Sequence, residues 1–233
     1  MKKISFALLA VAFIYSSCTK DHSITPAKNN SFKISFAATL NTVAVNTWEQ
    51  VLGGEAIVQF TPENSDSLSL SSKKDSLDLK NISTYNYQLV GGTYTISLST
   101  KSTSVADTFI RFTSEVKDFA VNKDQTISLP ATTNDGVITI SKSTIDSTVM
   151  PTFTPLGTTT PINFGLANGY YFLYIKGATT GRLTFTEATT GDLYLKDLKV
   201  TAGNQYDISA TLNTIGAIVI HSYPFHLKTS FLQ

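Results

Sequence analysis

Short runs in which apolar and polar residues alternate recur along the chain after its first thirty or so residues. Runs such as YTISL, TISL, VITI and RLTF are rich in Thr, Ile, Val, Tyr and Phe, and turn-forming segments such as LVGGT and TTNDG separate them. This alternation is typical of half-buried β-strands joined by tight turns. Because no long segment keeps a helical period, the sequence predicts an all-β protein built from antiparallel β-sandwiches.

Several segments of the chain resemble later segments in the same order. Segment 86–98 (NYQLVGGTYTISL) aligns without a gap on segment 163–175 (NFGLANGYYFLYI). Segment 125–140 aligns on segment 205–220, with the same spacing between an initial Gln and a later Gly. Matches that occur in order along a chain favour an internal duplication.

The duplication predicts two tandem sandwich domains of the immunoglobulin-like or transthyretin-like kind, at residues 31–135 and 136–233. The chain has one cysteine, so no internal disulfide can form and hydrophobic packing must hold both domains together. Residues 216–220 repeat the opening strand of a copy that does not continue. We expect this segment to close the second sandwich or to pair on its edge, with donation of the strand to a neighbouring molecule as the alternative.

One predicted strand does not alternate. The segment YYFLYI is apolar on both faces, and Tyr170, Phe172 and Tyr174 lie where the aligned strand of the first copy has only threonine and serine. Strand formation therefore does not require these three rings. One interpretation is that they pack under a loop or against the other repeat. The other is that they form a platform that binds a glycan or a protein partner.

The amino terminus predicts secretion and lipidation. Residues 1–17 contain two lysines and an apolar run that is too short to span a bilayer as a helix, and small residues precede Cys18. Residues 18–30 are polar and predict a flexible tether. The sequence YSSC resembles the lipobox of bacterial lipoproteins, with Tyr15 in place of the usual aliphatic residue. The resemblance implies acylation of Cys18; the alternative is an ordinary cleaved signal followed by a free thiol.

Lys20 and Asp21 follow the cysteine, and CTKD resembles the start of many surface lipoproteins of the Bacteroidota. In those proteins a lysine followed by acidic residues acts as an export signal. The resemblance implies a lipid-anchored protein of the outer membrane, exposed at the cell surface, and only one acidic residue here leaves inner-leaflet placement open. Acyl chains on Cys18 would hold the protein on the membrane without a transmembrane helix.

The pattern L-x-x-G-x-Y precedes a strand in both repeats, and residues 198–212 read LKVTAGNQYDISATL. These patterns are similar to those of fimbrillin-like and related prealbumin-type sandwich lipoproteins of the Bacteroidota. The resemblance implies a non-enzymatic surface lipoprotein for adhesion or pilus-like assembly. Tandem lipoproteins that hold starch at the cell surface share the pattern, which gives the alternative of a glycan-binding lipoprotein of a polysaccharide-uptake system. In that alternative, Tyr170, Phe172 and Tyr174 would contact the glycan.

Charge and motifs give no sign of nucleic-acid binding, catalysis or metal binding. The chain carries 18 basic and 17 acidic residues without a basic block, so no nucleic-acid partner is expected. It contains no G-x-S-x-G motif, no glycine-rich phosphate loop and no H-E-x-x-H motif, and no cofactor is expected. His221 and His226 would lie on opposite faces of a strand, which disfavours a shared metal. Asp75 and Asp78 are expected in a solvated loop.

Three serines stand in an Asp-Ser/Thr-aliphatic or similar context that resembles the O-glycosylation acceptor of the Bacteroidota. They are Ser67, Ser76 and Ser147. The resemblance implies that these hydroxyls carry glycans. The alternative is that they are ordinary turn serines in a chain that is rich in Ser and Thr.

Overall fold

The computed structural model of the chain describes residues 30–36, 40–41, 50–63, 70–210, 218–224 and 228–229. These residues form twenty strands and two short 3₁₀ helices, which confirms the all-β prediction. The strands of the first half are β1 Ser31–Phe36, β2 Leu40–Asn41, β3 Glu55–Pro62, β4 Lys73–Asp78, β5 Asn86–Val90, β6 Gly92–Thr100, β7 Ala106–Asp107, β8 Thr113–Val121, β9 Gln125–Ile127 and β10 Ala131–Thr132. Those of the second half are β11 Asp135–Ser141, β12 Thr152–Pro155, β13 Ile162–Asn163, β14 Gly165–Ala167, β15 Tyr170–Lys176, β16 Thr180–Thr186, β17 Leu193–Lys199, β18 Asn204–Ala210, β19 Ile218–Pro224 and β20 Lys228–Thr229. The 3₁₀ helices are η1 Leu79–Thr84 and η2 Lys142–Thr144.

The first half of the chain forms a three-stranded and a five-stranded sheet. In the three-stranded sheet, β1 lies between β5, to which it is antiparallel, and β9, to which it is parallel. The five-stranded sheet has the order β10-β8-β6-β3-β4 and is antiparallel throughout. Its strand β4 covers the segment expected as a solvated loop, so that expectation for Asp75 and Asp78 is wrong. A separate short pair joins β2 to β20.

The second half forms a six-stranded and a four-stranded sheet. The six-stranded sheet has the order β14-β15-β11-β18-β19, and β7 from the first half also pairs with β15. The four-stranded sheet has the order β13-β12-β16-β17 and is antiparallel. Strand β19, which begins in the segment expected to repeat an opening strand, pairs with β18 of the same chain. Residues 218–220 of that segment therefore lie in the last strand of this sheet among the described residues.

The two halves repeat one arrangement of strands. In each half the first strand lies between an antiparallel and a parallel neighbour, and one of its residues pairs with a tyrosine and a glutamine: Ile34 with Tyr87 and Gln125, Val137 with Tyr174 and Gln205. This pairing agrees with the alignment of the two glutamines. It also makes β15 the counterpart of β5, whereas the sequence alignment matched β15 with β6. The alignment is therefore wrong for the aromatic strand.

Two hydrophobic clusters form the interior, and the six-stranded sheet contributes to both. The first cluster contains most buried side chains of the first half, including those of Phe60 and Ile96, and the second contains those of Phe153 and Phe185. Side chains on one face of the six-stranded sheet belong to the first cluster and those on the other face to the second. Two kinds of contact cross the predicted domain boundary after residue 135: the pairing of β7 with β15, and this packing. The division into two domains at that residue stays a prediction.

Candidate functional site

Tyr170, Phe172 and Tyr174, predicted as a possible ligand platform, lie on a covered face of β15. The exposed fraction is 3% for Phe172 and 0% for Tyr174, and Tyr170 is half-buried. All three side chains pack in or against the first hydrophobic cluster. Burial excludes Phe172 and Tyr174 from contact with a surface ligand, so the platform interpretation is wrong for these two rings.

The opposite face of β15 is buried as well. Tyr171, Leu173 and Ile175 belong to the second hydrophobic cluster and are at most 4% exposed. A strand that is covered on both faces reads as a continuous apolar run, which explains why the segment does not alternate. The first interpretation of the sequence, packing against the other repeat, accounts for the rings on the first face.

One hydrogen bond and one contact between aromatic rings accompany this packing. The backbone N–H of Val51 donates a hydrogen bond to the Tyr174 hydroxyl over 2.8 Å. The rings of Phe172 and Tyr174 meet edge to face with their centroids 5.9 Å apart. A buried tyrosine needs a partner for its hydroxyl, and here a backbone group of the first half supplies it.

A buried ion pair that the sequence analysis did not predict lies beside the start of β11. Arg111 donates from Nη2 to Oδ1 of Asp135 over 2.6 Å and from Nε to Oδ2 over 2.9 Å. The backbone N–H of Arg111 also donates to Oδ2, and Nη1 donates to the carbonyl oxygen of Ser104. The side chains of Arg111 and Asp135 are 11% and 2% exposed. A fork-to-fork pair with this burial fixes the geometry of the two segments that carry it.

A small cavity of about 190 Å³ adjoins this ion pair and is lined mainly by hydroxyl-bearing side chains. Both carboxylate oxygens of Asp135 accept hydrogen bonds from Arg111, so the acid already has its partners. Hydroxyl groups in the lining are also hydrogen-bonded to neighbouring protein groups; for example, the Ser102 hydroxyl donates to the carboxylate of Asp107. The pair of Arg111 and Asp135 therefore fits a role in holding two chain segments together better than a role in acid–base catalysis.

Two of the predicted modification sites lie within the described residues, and two lie outside them. Ser76 is exposed on β4, and Ser147 is exposed in a turn in which Asp146 accepts hydrogen bonds from Thr148; these bonds lower the pKa of Asp146. Ser67 and Cys18 lie outside the described residues. Glycosylation of the serines and acylation of the cysteine stay predictions.

Asp75 and Asp78, the two acids of β4 that were expected in a loop, have separate structural partners. Asp75 accepts a hydrogen bond from the Tyr85 hydroxyl over 3.0 Å, and Asp78 caps η1 by accepting from the backbone N–H of Lys80. Burial of the phenol, together with this contact to Asp75, raises the pKa of Tyr85 well above its usual range. Within the described part of the chain, no group of three or more potential metal ligands occurs.

Among the described residues, strand β17 is the last strand of the four-stranded sheet, and it carries exposed apolar side chains. Leu193 and Leu195 are 62% and 57% exposed on its outer face. A groove of about 430 Å³ lies against β16, β17 and β19, and its lining residues are Leu183, Phe185, Tyr194, Leu195, Lys196 and Ile220. The Tyr194 ring stacks on the Phe185 ring with the centroids 5.6 Å apart. An accessible edge with leucines is the kind of surface that binds another protein.

A second arginine–carboxylate pair stabilises this edge. Arg182 on β16 donates from Nε and Nη2 to the two carboxylate oxygens of Asp197 on β17, over 2.8 and 3.1 Å. These hydrogen bonds lower the pKa of Asp197 and raise that of Arg182. Both side chains are more than half exposed, in contrast to the pair of Arg111 and Asp135.

Comparison with known proteins gives similarity to three-dimensional structures only. No protein-family model matches the sequence, and no curated protein matches it. The tip fimbrial protein Mfa3 of Porphyromonas gingivalis, solved with a C-terminal truncation, matches with a TM-score of 0.42 and 6% identity, over 83% of this chain and 99% of that chain. A protein of Bacteroides uniformis assigned to cell adhesion matches with a TM-score of 0.48 and 13% identity, over 85% and 98%.

A fimbrial assembly protein of Parabacteroides distasonis also matches, with a TM-score of 0.43 and 7% identity, over 82% of this chain and 98% of that chain. Similarity at this level does not transfer a function from one chain to another, because function depends on sites rather than on the fold. A search of the described residues for a helix long and apolar enough to cross a membrane finds none.

Proposed function

We propose that this protein is a non-enzymatic surface lipoprotein that binds other surface proteins in adhesion or in the assembly of a pilus-like structure. Lipid on Cys18 would anchor it to the outer membrane, and residues 18–30 would act as the tether. Glycans on Ser67, Ser76 and Ser147 belong to the same proposal. A lipid anchor followed by a tether would leave the sandwiches exposed to solvent outside the cell.

The observation that carries the proposal is the edge strand β17 with its two exposed leucines. Leu193 and Leu195 lie next to each other on one face, at a sheet edge that has no neighbouring strand among the described residues. Exposed apolar side chains on the last strand of a sheet favour association with another polypeptide. This supports a function in protein–protein binding.

The alternative, glycan capture at an aromatic platform, has lost the residues on which it depended. Phe172 and Tyr174 are at most 3% exposed, and the remaining ring of Tyr170 is half-buried. The cavity beside Arg111 has about 190 Å³ and a charge pair that is already satisfied. No other observation favours glycan binding.

The test is adhesion or surface assembly by cells that carry the full-length chain. We expect the double variant Leu193→Ser with Leu195→Ser to reduce adhesion or assembly while surface amount and melting temperature stay the same. The matched control is Leu156→Ser, because Leu156 is 80% exposed and follows β12 rather than lying on β17. Cys18→Ala should release the protein from the membrane and abolish the effect.

Unchanged adhesion and assembly in the β17 double variant, at equal surface amount, would contradict the proposal. An equal loss in the Leu156 control would also contradict it, because any exposed leucine would then serve. Intact mass of protein from the native host decides whether the acyl chains and glycans are present.

A further inference from the structure

We propose that the Thr139 hydroxyl of β11 and the Gln205 amide of β18 condense into an ester bond inside the second half, with Asp207 as the base. The reaction releases ammonia and joins the two strands covalently. The inference goes beyond the proposed function, because it concerns the interior of the fold and does not depend on what the protein binds.

Three polar side chains of β11 and β18 form a hydrogen-bonded trio. Nε2 of Gln205 donates to Oγ1 of Thr139 over 3.1 Å, and the same hydroxyl donates to Oδ1 of Asp207, also over 3.1 Å. Thr139 is 0% exposed, Gln205 is 2% exposed, and Asp207 is half-buried. A nucleophile, an acyl group and a base are thus in contact at a place that most water cannot reach.

These contacts place the acyl carbon of Gln205 close to the hydroxyl oxygen. In an amide the nitrogen is bonded to this carbon at roughly 1.3 Å. The atom to be attacked is therefore one bond away from the atom that the Thr139 hydroxyl already contacts. The terminal torsion of a glutamine side chain is broad, so a small rotation presents the carbon instead of the nitrogen. Reacting atoms held about 3–3.5 Å apart need no further approach.

Each step of the reaction has a group in place. Asp207 accepts the hydroxyl proton while Oγ1 of Thr139 attacks the carbonyl carbon, as a base in contact with a hydroxyl does in nucleophilic catalysis. The C–N bond then breaks, and the proton passes from Asp207 to the leaving nitrogen, which departs as ammonia. One O–H and one C–N bond are lost, one C–O and one N–H bond are formed, and no oxidant or cofactor takes part.

The equivalent place in the first half shows that the fold does not require these polar groups. The pairing that aligns the two halves places Phe36 where β11 has Thr139. It also places Ile127 where β18 has Asp207, and both apolar residues are 1% exposed. The equivalent glutamine, Gln125, donates to a backbone carbonyl oxygen instead. Since burying polar groups costs free energy, the trio of the second half needs a reason other than the fold.

A covalent bond at this place would stabilise the second half as a disulfide would. Thr139 and Gln205 are 66 positions apart in the chain, and closing a loop of that length lowers the entropy of the unfolded chain. The chain has one cysteine, so no internal disulfide can do the same. The bond would also hold β18 against β11 in the middle of the six-stranded sheet.

Peptide mapping of the full-length protein purified from its host tests the inference. Trypsin places Thr139 in peptide 124–142 and Gln205 in peptide 200–228, and neither peptide contains a serine proposed to carry a glycan. We expect a linked species whose mass is the sum of the two peptides less one molecule of ammonia. Fragmentation should locate the bond at the two side chains. Mild alkali should separate the peptides and leave a carboxylic acid at position 205.

Two variants and a matched control test the roles of the side chains. Thr139→Val removes the nucleophile at a similar size, and Asp207→Asn removes the base at a similar size. We expect each variant to give only the two separate peptides. Gln125→Leu changes the equivalent glutamine of the first half and should leave the yield of the linked species equal to that of the parent chain.

The result for the parent chain decides the proposal without depending on how any variant folds. Recovery of both peptides unlinked and unmodified, after long incubation of the folded protein at neutral pH, would overturn it. The trio would then be an ordinary group of hydrogen-bonded side chains. A linked species that persists in Thr139→Val, or that keeps its parental yield in Asp207→Asn, would contradict the proposed chemistry as well.

Discussion

The Tyr174 hydroxyl accepts a hydrogen bond from the backbone N–H of Val51, which lies 123 residues earlier in the chain, over 2.8 Å. The ring of Tyr174 is 0% exposed and belongs to the first hydrophobic cluster, although β15 lies in the six-stranded sheet. One side chain thus joins the interior of the first half to a sheet of the second. This contact suggests that the two halves depend on each other for stability.

Tyr174→Phe should therefore lower the free energy of unfolding by about 1–3 kcal/mol, because the partly buried N–H of Val51 loses its acceptor. Urea denaturation of the variant and the parent measures the difference. Tyr223→Phe is the matched control, since Tyr223 is half-buried and its hydroxyl has no hydrogen-bond partner among the described residues. An equal decrease in the free energy of unfolding for both variants would show that the hydrogen bond from Val51 does not stabilise the fold.

The pair of Arg111 with Asp135 and the pair of Arg182 with Asp197 allow a direct comparison of burial. Arg111→Met should lower the free energy of unfolding by about 3–5 kcal/mol, because it leaves the carboxylate of Asp135 buried without its partner. Arg182→Met removes the same kind of pair at an exposed site and should cost about 0–1 kcal/mol. Chemical denaturation measures both values.

The double variant Arg111→Met with Asp135→Leu should recover most of the stability lost in Arg111→Met, since the lone buried charge is gone. A double variant as unstable as the single one would mean that the loss comes from packing of the arginine side chain. Similar losses for Arg111→Met and Arg182→Met would contradict the role of burial.

The strands could be predicted from the sequence because alternation of apolar and polar residues is a local signal. The equivalence of Gln125 and Gln205 could also be predicted, and the structure gives both the same place, parallel to the first strand of their half. Turn residues and strand composition carry this information without any knowledge of distant contacts. The all-β class follows from them directly.

The burial of Tyr170, Phe172 and Tyr174 could not be decided in the same way. The sequence shows that both faces of β15 are apolar, but it does not show what covers each face. The comparison with the threonine and serine positions of β6 was misleading, since pairing makes β5 the counterpart of β15. An alignment shifted by one strand therefore suggested a specialised surface where the structure has an interior.

The pair of Arg111 and Asp135 left no signal in the sequence. The two residues lie in a strand-like segment and in a turn-like segment, each of which is compatible with an exposed side chain. Their contact depends on how the segment before β8 and the start of β11 approach each other. The exposure of the leucines of β17 could not be predicted either. A run such as LYLKDL predicts a strand, but it does not show which of its side chains are exposed.

Gln50 is the buried polar residue whose environment is least favourable. It is 9% exposed, and neither Nε2 nor Oε1 has a hydrogen-bond partner within the described structure. Because an unpaired buried amide is costly, Gln50→Met should raise the free energy of unfolding by about 1 kcal/mol. Gln59→Met is the control, since Gln59 is only half-buried and contacts Thr61. A loss of stability in Gln50→Met would indicate that the amide does find a partner in solution.

Glu187 should make the stability of the second half depend on pH. Its Oε2 accepts hydrogen bonds from the backbone N–H groups of Thr190 and Thr189, over 2.6 and 2.9 Å, and these bonds lower the pKa of Glu187 below its ordinary value of 4.5. A folded-state pKa that is lower than the unfolded one adds stability above the unfolded value, and this stability is lost as the pH falls through the folded value. The carboxylate thus holds the turn that leads into β17 only while it is ionised.

Glu187→Gln should accordingly melt at a lower temperature than the parent at pH 7, and the difference should shrink as the pH falls from 4.5 towards 3. Melting curves of both proteins across this range measure the effect. Glu115→Gln is the control, because it removes an exposed carboxylate whose partner is the side chain of Lys117 rather than backbone N–H groups. If the gap between Glu187→Gln and the parent is the same at pH 7 and pH 3, ionisation of Glu187 does not hold this turn.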